Sequence, residues 1–118
     1  MSLFVGRRMA VVLAIALHLP HSLRAQVANA GISGTVRDSL GAPMERVVVE
    51  ARNGETGYLE RATTNQSGHY ALLGLPLGGP YTLRTRLLGY HMAERAGIVL
   101  TIGARPTANF GEHGLDRS

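Results

Sequence analysis

The stretch VVVEARNGETGYLERATTNQSGHYALL, residues 47–73, decides the fold. Val47, Val49 and Ala51 alternate with Val48, Glu50 and Arg52, which is the two-residue period of a half-buried β-strand. The alternation stops at Asn53-Gly54, a pair typical of a tight turn between antiparallel strands. The rest of the stretch then predicts, in order, a hairpin loop at 53–57, a returning strand at 58–64, a turn at 65–68 and a third strand at 69–73.

The same pattern continues on both sides of this stretch. Strands are predicted at 32–37, 81–86, 98–102 and 107–110, with a turn at 38–43. Residues 75–80 predict a loop, because proline has no amide hydrogen for a ladder and glycine has no side chain to pack. No segment of ten residues has a sustained helical period. The sequence therefore predicts an all-β fold, a seven-stranded antiparallel β-sandwich whose core faces carry Ile32 and Val36, Val47, Val49 and Ala51, Tyr70 and Leu72, Tyr81 and Leu83, and Ile98, Leu100 and Ile102.

The N-terminus has the three parts of a cleavable signal peptide. Arg7 and Arg8 precede an apolar run at 9–17, and Pro20 and the small Ala25 follow it. The run is well short of the ~20 residues that cross a bilayer, so a transmembrane anchor is not expected. We predict a signal peptide at 1–25, with cleavage after Ala30 as the alternative, a short linker at 26–30, one domain at 31–110 and a polar tail at 111–118.

The charge pattern changes with that cleavage. The formal net charge is +4, and removal of Arg7, Arg8 and Arg24 lowers it to +1. The other nine arginines are interleaved with the eight acidic residues rather than clustered, which is typical of a solvated mixed-charge surface, so no nucleic-acid partner is expected. The absence of cysteine excludes disulfides, thiolate metal sites and cysteine nucleophiles.

An ordered series of short motifs resembles the carboxypeptidase regulatory-like domain. The series comprises GTVRDSLGAP at 34–43, VVVEA at 47–51, TG at 56–57, TNQSGHY at 64–70, LPLGGPY at 75–81 and LGY at 88–90. The resemblance implies a transthyretin-like (prealbumin-like) Greek-key sandwich without catalytic machinery. Such domains accompany metallocarboxypeptidases, surface proteins and, as N-terminal periplasmic extensions, TonB-dependent outer-membrane receptors.

The sequence contains few patterns that are typical of catalytic or metal-binding sites. His69, His91 and His113 have no partner at metal-ligand spacing. Intradiol dioxygenases have a similar fold and bind iron through two tyrosines and two histidines, but Tyr70 and Tyr81 are accounted for as buried residues with hydrogen-bonded hydroxyls. His69 and Tyr70 are adjacent and should point to opposite faces of their strand. We predict no catalytic, cofactor-binding or metal-binding residues and no enzymatic activity.

The expected function is that of an exported accessory module. The signal and the resemblance imply an interaction domain in the periplasm or at the outer membrane, or a secreted one, with envelope proteins or a receptor domain as partners. The chain would be a shortened copy of a receptor-type protein or a stand-alone module. The alternative is a carbohydrate-binding module similar to starch-binding domains, although the chain has no tryptophan and offers only Tyr58 as an aromatic beside a loop.

Overall fold

A computed structural model describes residues 29–115, and side chains up to residue 111. The predicted signal peptide, most of the predicted linker and residues 116–118 lie outside the described residues. The described chain forms seven strands: β1 Asn29–Asp38, β2 Val48–Asn53, β3 Leu59–Thr63, β4 His69–Pro76, β5 Gly78–Arg86, β6 Glu94–Leu100 and β7 Phe110–Leu115. In this part of the chain no helix has the length and hydropathy needed to cross a bilayer.

The strands form two sheets. Sheet I has the order β4-β1-β7, and sheet II has the order β3-β2-β5-β6. All neighbours in sheet II are antiparallel, as are β1 and β4 in sheet I. The prediction of an all-β sandwich with seven strands is confirmed.

The core lies between the two sheets and is built by the alternation that the sequence shows. In β2, Val49 and Ala51 are buried while Glu50 and Arg52 point outward. Burial of each large apolar side chain contributes roughly 1.5–3 kcal/mol, so the inner faces hold the sheets together. Sheet I contributes Ile32, Val36, Tyr70, Leu72, Leu75 and Phe110 to this core, and sheet II contributes Val49, Ala51, Tyr81, Leu83 and Leu100.

Three predicted turns are confirmed, and each is closed by a carboxylate or amide side chain. Asp38 Oδ1 accepts hydrogen bonds from the amides of Leu40 and Ala42, both at 2.9 Å. Asn53 Oδ1 accepts from the amides of residues 55 and 56, and Asn65 Oδ1 accepts from those of residues 67 and 69. These side-chain oxygens replace backbone carbonyls as hydrogen-bond acceptors where the chain reverses direction. The sequence therefore indicates the turns clearly.

The predicted loop at 75–80 is wrong, because β4 runs to Pro76 and β5 begins at Gly78. Pro76 is tolerated because β4 is an edge strand of sheet I. Pro80 is tolerated because the pairing of β5 with β6 is irregular between Gly78 and Tyr81. The carbonyl oxygen of Pro80 still accepts a hydrogen bond from the amide of Gly54 at 2.9 Å.

The last strand differs from the prediction in direction and extent. β7 pairs with β1 in parallel, so the sandwich is not antiparallel throughout. Residues 104–108 approach along β1, where the amide of Gly31 donates to the Ala104 carbonyl at 3.2 Å and the amide of Ala108 donates to the Ser33 carbonyl at 2.8 Å. The strand then continues to Leu115 instead of stopping near Phe110.

The end of β6 is also different. The strand ends at Leu100, and Ile102, which we expected in the core, lies in the following turn with 78% of its surface exposed. In that turn the amide of Ala104 donates to the Thr101 carbonyl at 3.0 Å, and Gly103 has a φ of +74°. The left-handed conformation of Gly103 turns the chain towards sheet I before Ile102 can join the ladder.

Candidate binding cleft

The two buried tyrosines serve the fold. Tyr70 is 4% exposed, and its hydroxyl donates a hydrogen bond to the Ala108 carbonyl at 2.5 Å. Tyr81 is fully buried, and its hydroxyl donates to the Pro76 carbonyl at 2.8 Å. Burial raises the pKa of Tyr70, and the nearby positive charge of Arg95 offsets part of that rise. Both hydroxyls therefore donate hydrogen bonds that join separate segments of the sandwich.

The iron site considered from the sequence is not assembled by the described residues. His69 is exposed on the outer face of β4 while Tyr70 points into the core, as the alternation predicted. His91 is exposed in the connection between β5 and β6, and the side chain of His113 lies outside those described. Among the described residues, no three His, Cys, Asp or Glu side chains are grouped to hold a metal ion.

A cleft of about 450 Å³ opens beside β7, where the last strand lies next to β1. Arg95 of β6 reaches it from sheet II, so the cleft lies where the edges of the two sheets approach each other. Its lining residues are Thr35 and Arg37 of β1, Arg95 of β6, Thr107 and Asn109 before β7, and Phe110 and Gly111 of β7. We call this the β7 cleft.

Both arginines of the β7 cleft are held in place by the backbone. Arg37 donates through Nη1 to the Gly41 carbonyl at 3.0 Å, which ties it to the turn after β1. Arg95 donates through Nη2 to the Asn109 carbonyl at 2.5 Å, and its guanidinium lies over the Phe110 ring, 5.7 Å from the centroid. Contact with the ring adds roughly 0.5–1 kcal/mol of attraction at an exposed site.

The uncharged residues Asn109 and Thr35 of the β7 cleft are also held in place. Asn109 Oδ1 accepts a hydrogen bond from the Thr35 amide at 3.0 Å and a longer one from the Thr35 hydroxyl at 3.3 Å. This side chain completes the backbone pairing of β1 just before β7 begins. The orientation of the Asn109 side-chain amide in the β7 cleft is therefore fixed.

The second described cleft has a different charge balance. It measures about 130 Å³, lies on the outer face of sheet II and is lined by Glu50, Arg52, Gly54, Thr82, Arg84 and Glu94. Two ion pairs involve this lining: Arg61 to Glu50 at 3.0 Å and Arg84 to Glu94 at 2.8 Å. These pairs match the mixed-charge surface predicted from the sequence. In the β7 cleft, by contrast, none of the described lining residues is acidic.

The sequence does not indicate the β7 cleft. Arg37 and Arg95 are far apart in the chain, and each has an acidic neighbour in sequence, Asp38 and Glu94. In the structure those neighbours are engaged elsewhere, because Asp38 closes a turn and Glu94 pairs with Arg84. The only signal in the sequence was the two-residue spacing of Thr35 and Arg37, which places both side chains on the outer face of β1.

The fold and the cleft define a small all-β sandwich module, with its core between two sheets and a cleft of fixed polar groups beside β7. The chain belongs to the carboxypeptidase regulatory-like domain family, whose sequence model matches residues 31–111. The family resemblance drawn from the motifs is thus confirmed. A comparison with curated protein sequences found no match.

Solved structures share the sandwich at low sequence identity. A candidate carbohydrate-binding protein from Bacteroides uniformis ATCC 8492 is 17% identical, with a TM-score of 0.55 over 71% of this chain and 41% of that one. The 3-chlorocatechol 1,2-dioxygenase of Rhodococcus opacus 1CP is 11% identical, with a TM-score of 0.57 over 79% and 62%. The dioxygenase domain of a dioxygenase carbohydrate-binding protein fusion from Streptomyces sp. SirexAA-E is 12% identical, with a TM-score of 0.56 over 80% and 84%. The first two of these proteins extend well beyond the region that this chain covers, and the likeness concerns the fold alone.

Proposed function

We propose that the chain is a non-catalytic, exported interaction module that acts through protein contacts at the periplasmic face of the outer membrane. The observation that carries the proposal is the family match over residues 31–111, directly after a segment with the sequence features of a signal peptide. This order resembles the N-terminal extension of TonB-dependent receptors. In that arrangement the sandwich would contact an envelope protein or a receptor domain.

The chemistry of the β7 cleft supports a role without catalysis. General acid–base catalysis needs a group whose pKa lies near the working pH and which reaches the reacting proton. The described lining offers arginine, threonine, asparagine, phenylalanine and glycine. Arginine keeps its proton below about pH 12, and hydroxyl and amide groups donate and accept hydrogen bonds without titrating. These groups suit recognition better than turnover.

Expression in a Gram-negative host tests the location and the partner together. The chain is produced with its own N-terminus, the cells are fractionated, and the purified product is sequenced from its first residue. We expect periplasmic or outer-membrane recovery with Gln26 first, and chemical cross-links to envelope proteins. Replacement of Arg7 and Arg8 by glutamate should retain the chain in the cytoplasm with its N-terminal segment uncleaved. Cytoplasmic recovery of the unaltered chain would contradict the proposal.

Carbohydrate binding is the second candidate, favoured by the structural likeness to the Bacteroides uniformis protein. Tyr58 is the aromatic residue that sequence analysis singled out for it. The side chain is half-buried, and its hydroxyl donates to Glu60 at 3.2 Å. Titration with neutral oligosaccharides, followed by amide chemical shifts, tests this role. Saturable shifts that disappear in Tyr58→Ala would favour the sugar function over the protein-contact function.

A further inference from the structure

We propose that the β7 cleft binds the carboxylates of an acidic peptide segment that lies extended along the open edge of β7. The inference rests on the proposed function, because it names the chemistry of the partner surface that the module would contact. Two fixed cations and an edge strand lie side by side in this part of the fold.

The charge of the cleft selects an anion. Arg37 and Arg95 are its only charged lining residues among those described, and both are positive. A guanidinium has five N–H donors in a planar fork that matches the two oxygens of a carboxylate. Each arginine uses one of these donors on a backbone carbonyl, and among the described residues the other donors have no hydrogen-bond partner and are available to a ligand.

The cleft is also prepared for binding. Long arginine side chains usually lose conformational freedom when they bind a ligand, and this loss weakens binding. The hydrogen bonds to the Gly41 and Asn109 carbonyls, together with the Phe110 ring below Arg95, restrict both side chains in advance. Less freedom is then lost when a carboxylate arrives.

The neighbouring strand favours a peptide. β7 is the terminal strand of sheet I, so one edge of its backbone has no partner strand among the described residues. Such an edge can accept an extended segment through main-chain hydrogen bonds. Alternate side chains of that segment would point to the same face, which places successive acidic residues towards the arginines.

The geometry does not favour a sugar at this place. A sugar ring usually stacks on an exposed aromatic face. Phe110 is 4% exposed, and its ring is covered by the Arg95 guanidinium. An acidic sugar could still meet the arginines, so acidic oligosaccharides form a separate arm of the test.

In the test, the full chain is titrated with a blocked hexapeptide of alternating valine and glutamate. Calorimetry measures the binding at low and at physiological salt. Matched probes are the glutamine version of the peptide, a version N-methylated on alternate amides, and a tetramer of galacturonate. The variants are Arg37→Gln and Arg95→Gln, with Arg52→Gln on the outer face of sheet II as the control. Thermal unfolding of each variant confirms that it is folded.

We expect saturable binding of the glutamate peptide, weakened about tenfold by Arg37→Gln and by Arg95→Gln and unchanged by Arg52→Gln, a loss of about 1.4 kcal/mol for each arginine. The glutamine and N-methylated peptides should bind at least about tenfold more weakly. Any of four results would overturn the inference: an equal loss of affinity in Arg52→Gln, equal binding of the N-methylated peptide, tighter binding of the galacturonate tetramer, or no binding at all. Cross-links to envelope proteins that persist in Arg37→Gln would leave the proposed function standing.

Discussion

The carbonyl oxygen of Ala108 lies so close to Gly34 that a Cβ at residue 34 would overlap with it. Gly34 is buried in the middle of β1, and the segment before β7 runs parallel beside β1 at this point. A methyl group there would push that segment away from β1. We expect Gly34→Ala to lower the free energy of unfolding by about 3 kcal/mol.

Gly54→Ala is the control, because a Cβ at residue 54 would lie 3.4 Å from the nearest atom, the Pro80 carbonyl oxygen. That distance is an ordinary contact, and we expect a loss below about 1 kcal/mol. Denaturant unfolding followed by circular dichroism measures both variants. Equal losses would contradict the close approach of Ala108 to β1.

Tyr70→Phe tests the other contact that Ala108 makes. The change removes the hydroxyl that donates to the Ala108 carbonyl and leaves that acceptor without this partner inside the sandwich. We expect a loss of about 1–2 kcal/mol in the free energy of unfolding. Tyr58→Phe, which removes a hydroxyl bonded to Glu60 near the surface, should cost less than about 0.5 kcal/mol.

The same tyrosine predicts a pH dependence. Burial raises the pKa of Tyr70 above its usual value, so the folded state keeps the phenolic proton to higher pH than the unfolded state does. The stability that this provides is fully present below about pH 10, where the unfolded tyrosine titrates, and is lost progressively above it. The chain has no lysine and no cysteine, so no titration of those side chains overlaps this pH range.

Unfolding measured between pH 8 and 11 checks this expectation. The unaltered chain should lose stability above pH 10, and Tyr70→Phe should lose less over the same interval. The curve of Tyr58→Phe should follow that of the unaltered chain more closely. Parallel curves for Tyr70→Phe and the unaltered chain would contradict a raised pKa at Tyr70.

Thr64 joins the start of β2 to the end of β3 and is 4% exposed. Its hydroxyl donates to the Met44 carbonyl at 2.7 Å and accepts from the Val47 amide at 2.9 Å. Thr64→Val keeps the volume and leaves both backbone groups without that partner, so we expect a loss of about 2–3 kcal/mol. The exposed neighbour Thr63 supplies the control: Thr63→Val should change stability by less than about 0.5 kcal/mol in thermal unfolding.

The sequence predicts the turns best, because in each of them one side chain binds backbone amides of the same turn. Asp38, Asn53 and Asn65 each bind amides two to four residues away, so the local pattern contains the whole interaction. The direction of β7 could not be predicted in this way. Parallel and antiparallel strands show the same alternation, and the pairing with β1 depends on the path of residues 101–109.

The β7 cleft was missed for a related reason. Its charge depends on which arginines have partners in space, and sequence neighbours do not decide that. Arg84 pairs with Glu94 across the register of β5 and β6, and Asp38 is used by its own turn. Arg37 and Arg95 then lie together in the β7 cleft, although the interleaving of charges along the chain predicted an evenly mixed surface.

The end of β6 provides a test of where the apolar alternation stops. Leu100 and Ile102 share one face by period, yet Leu100 is 1% exposed and Ile102 lies in the turn outside the core. We expect Leu100→Ala to cost about 2–5 kcal/mol and Ile102→Ala less than about 1 kcal/mol, because only the first change leaves a cavity. Thermal unfolding of the two variants measures the difference. Equal losses would place Ile102 in the core, as the period alone predicts, and would show that the Gly103 turn begins later than the structure has it.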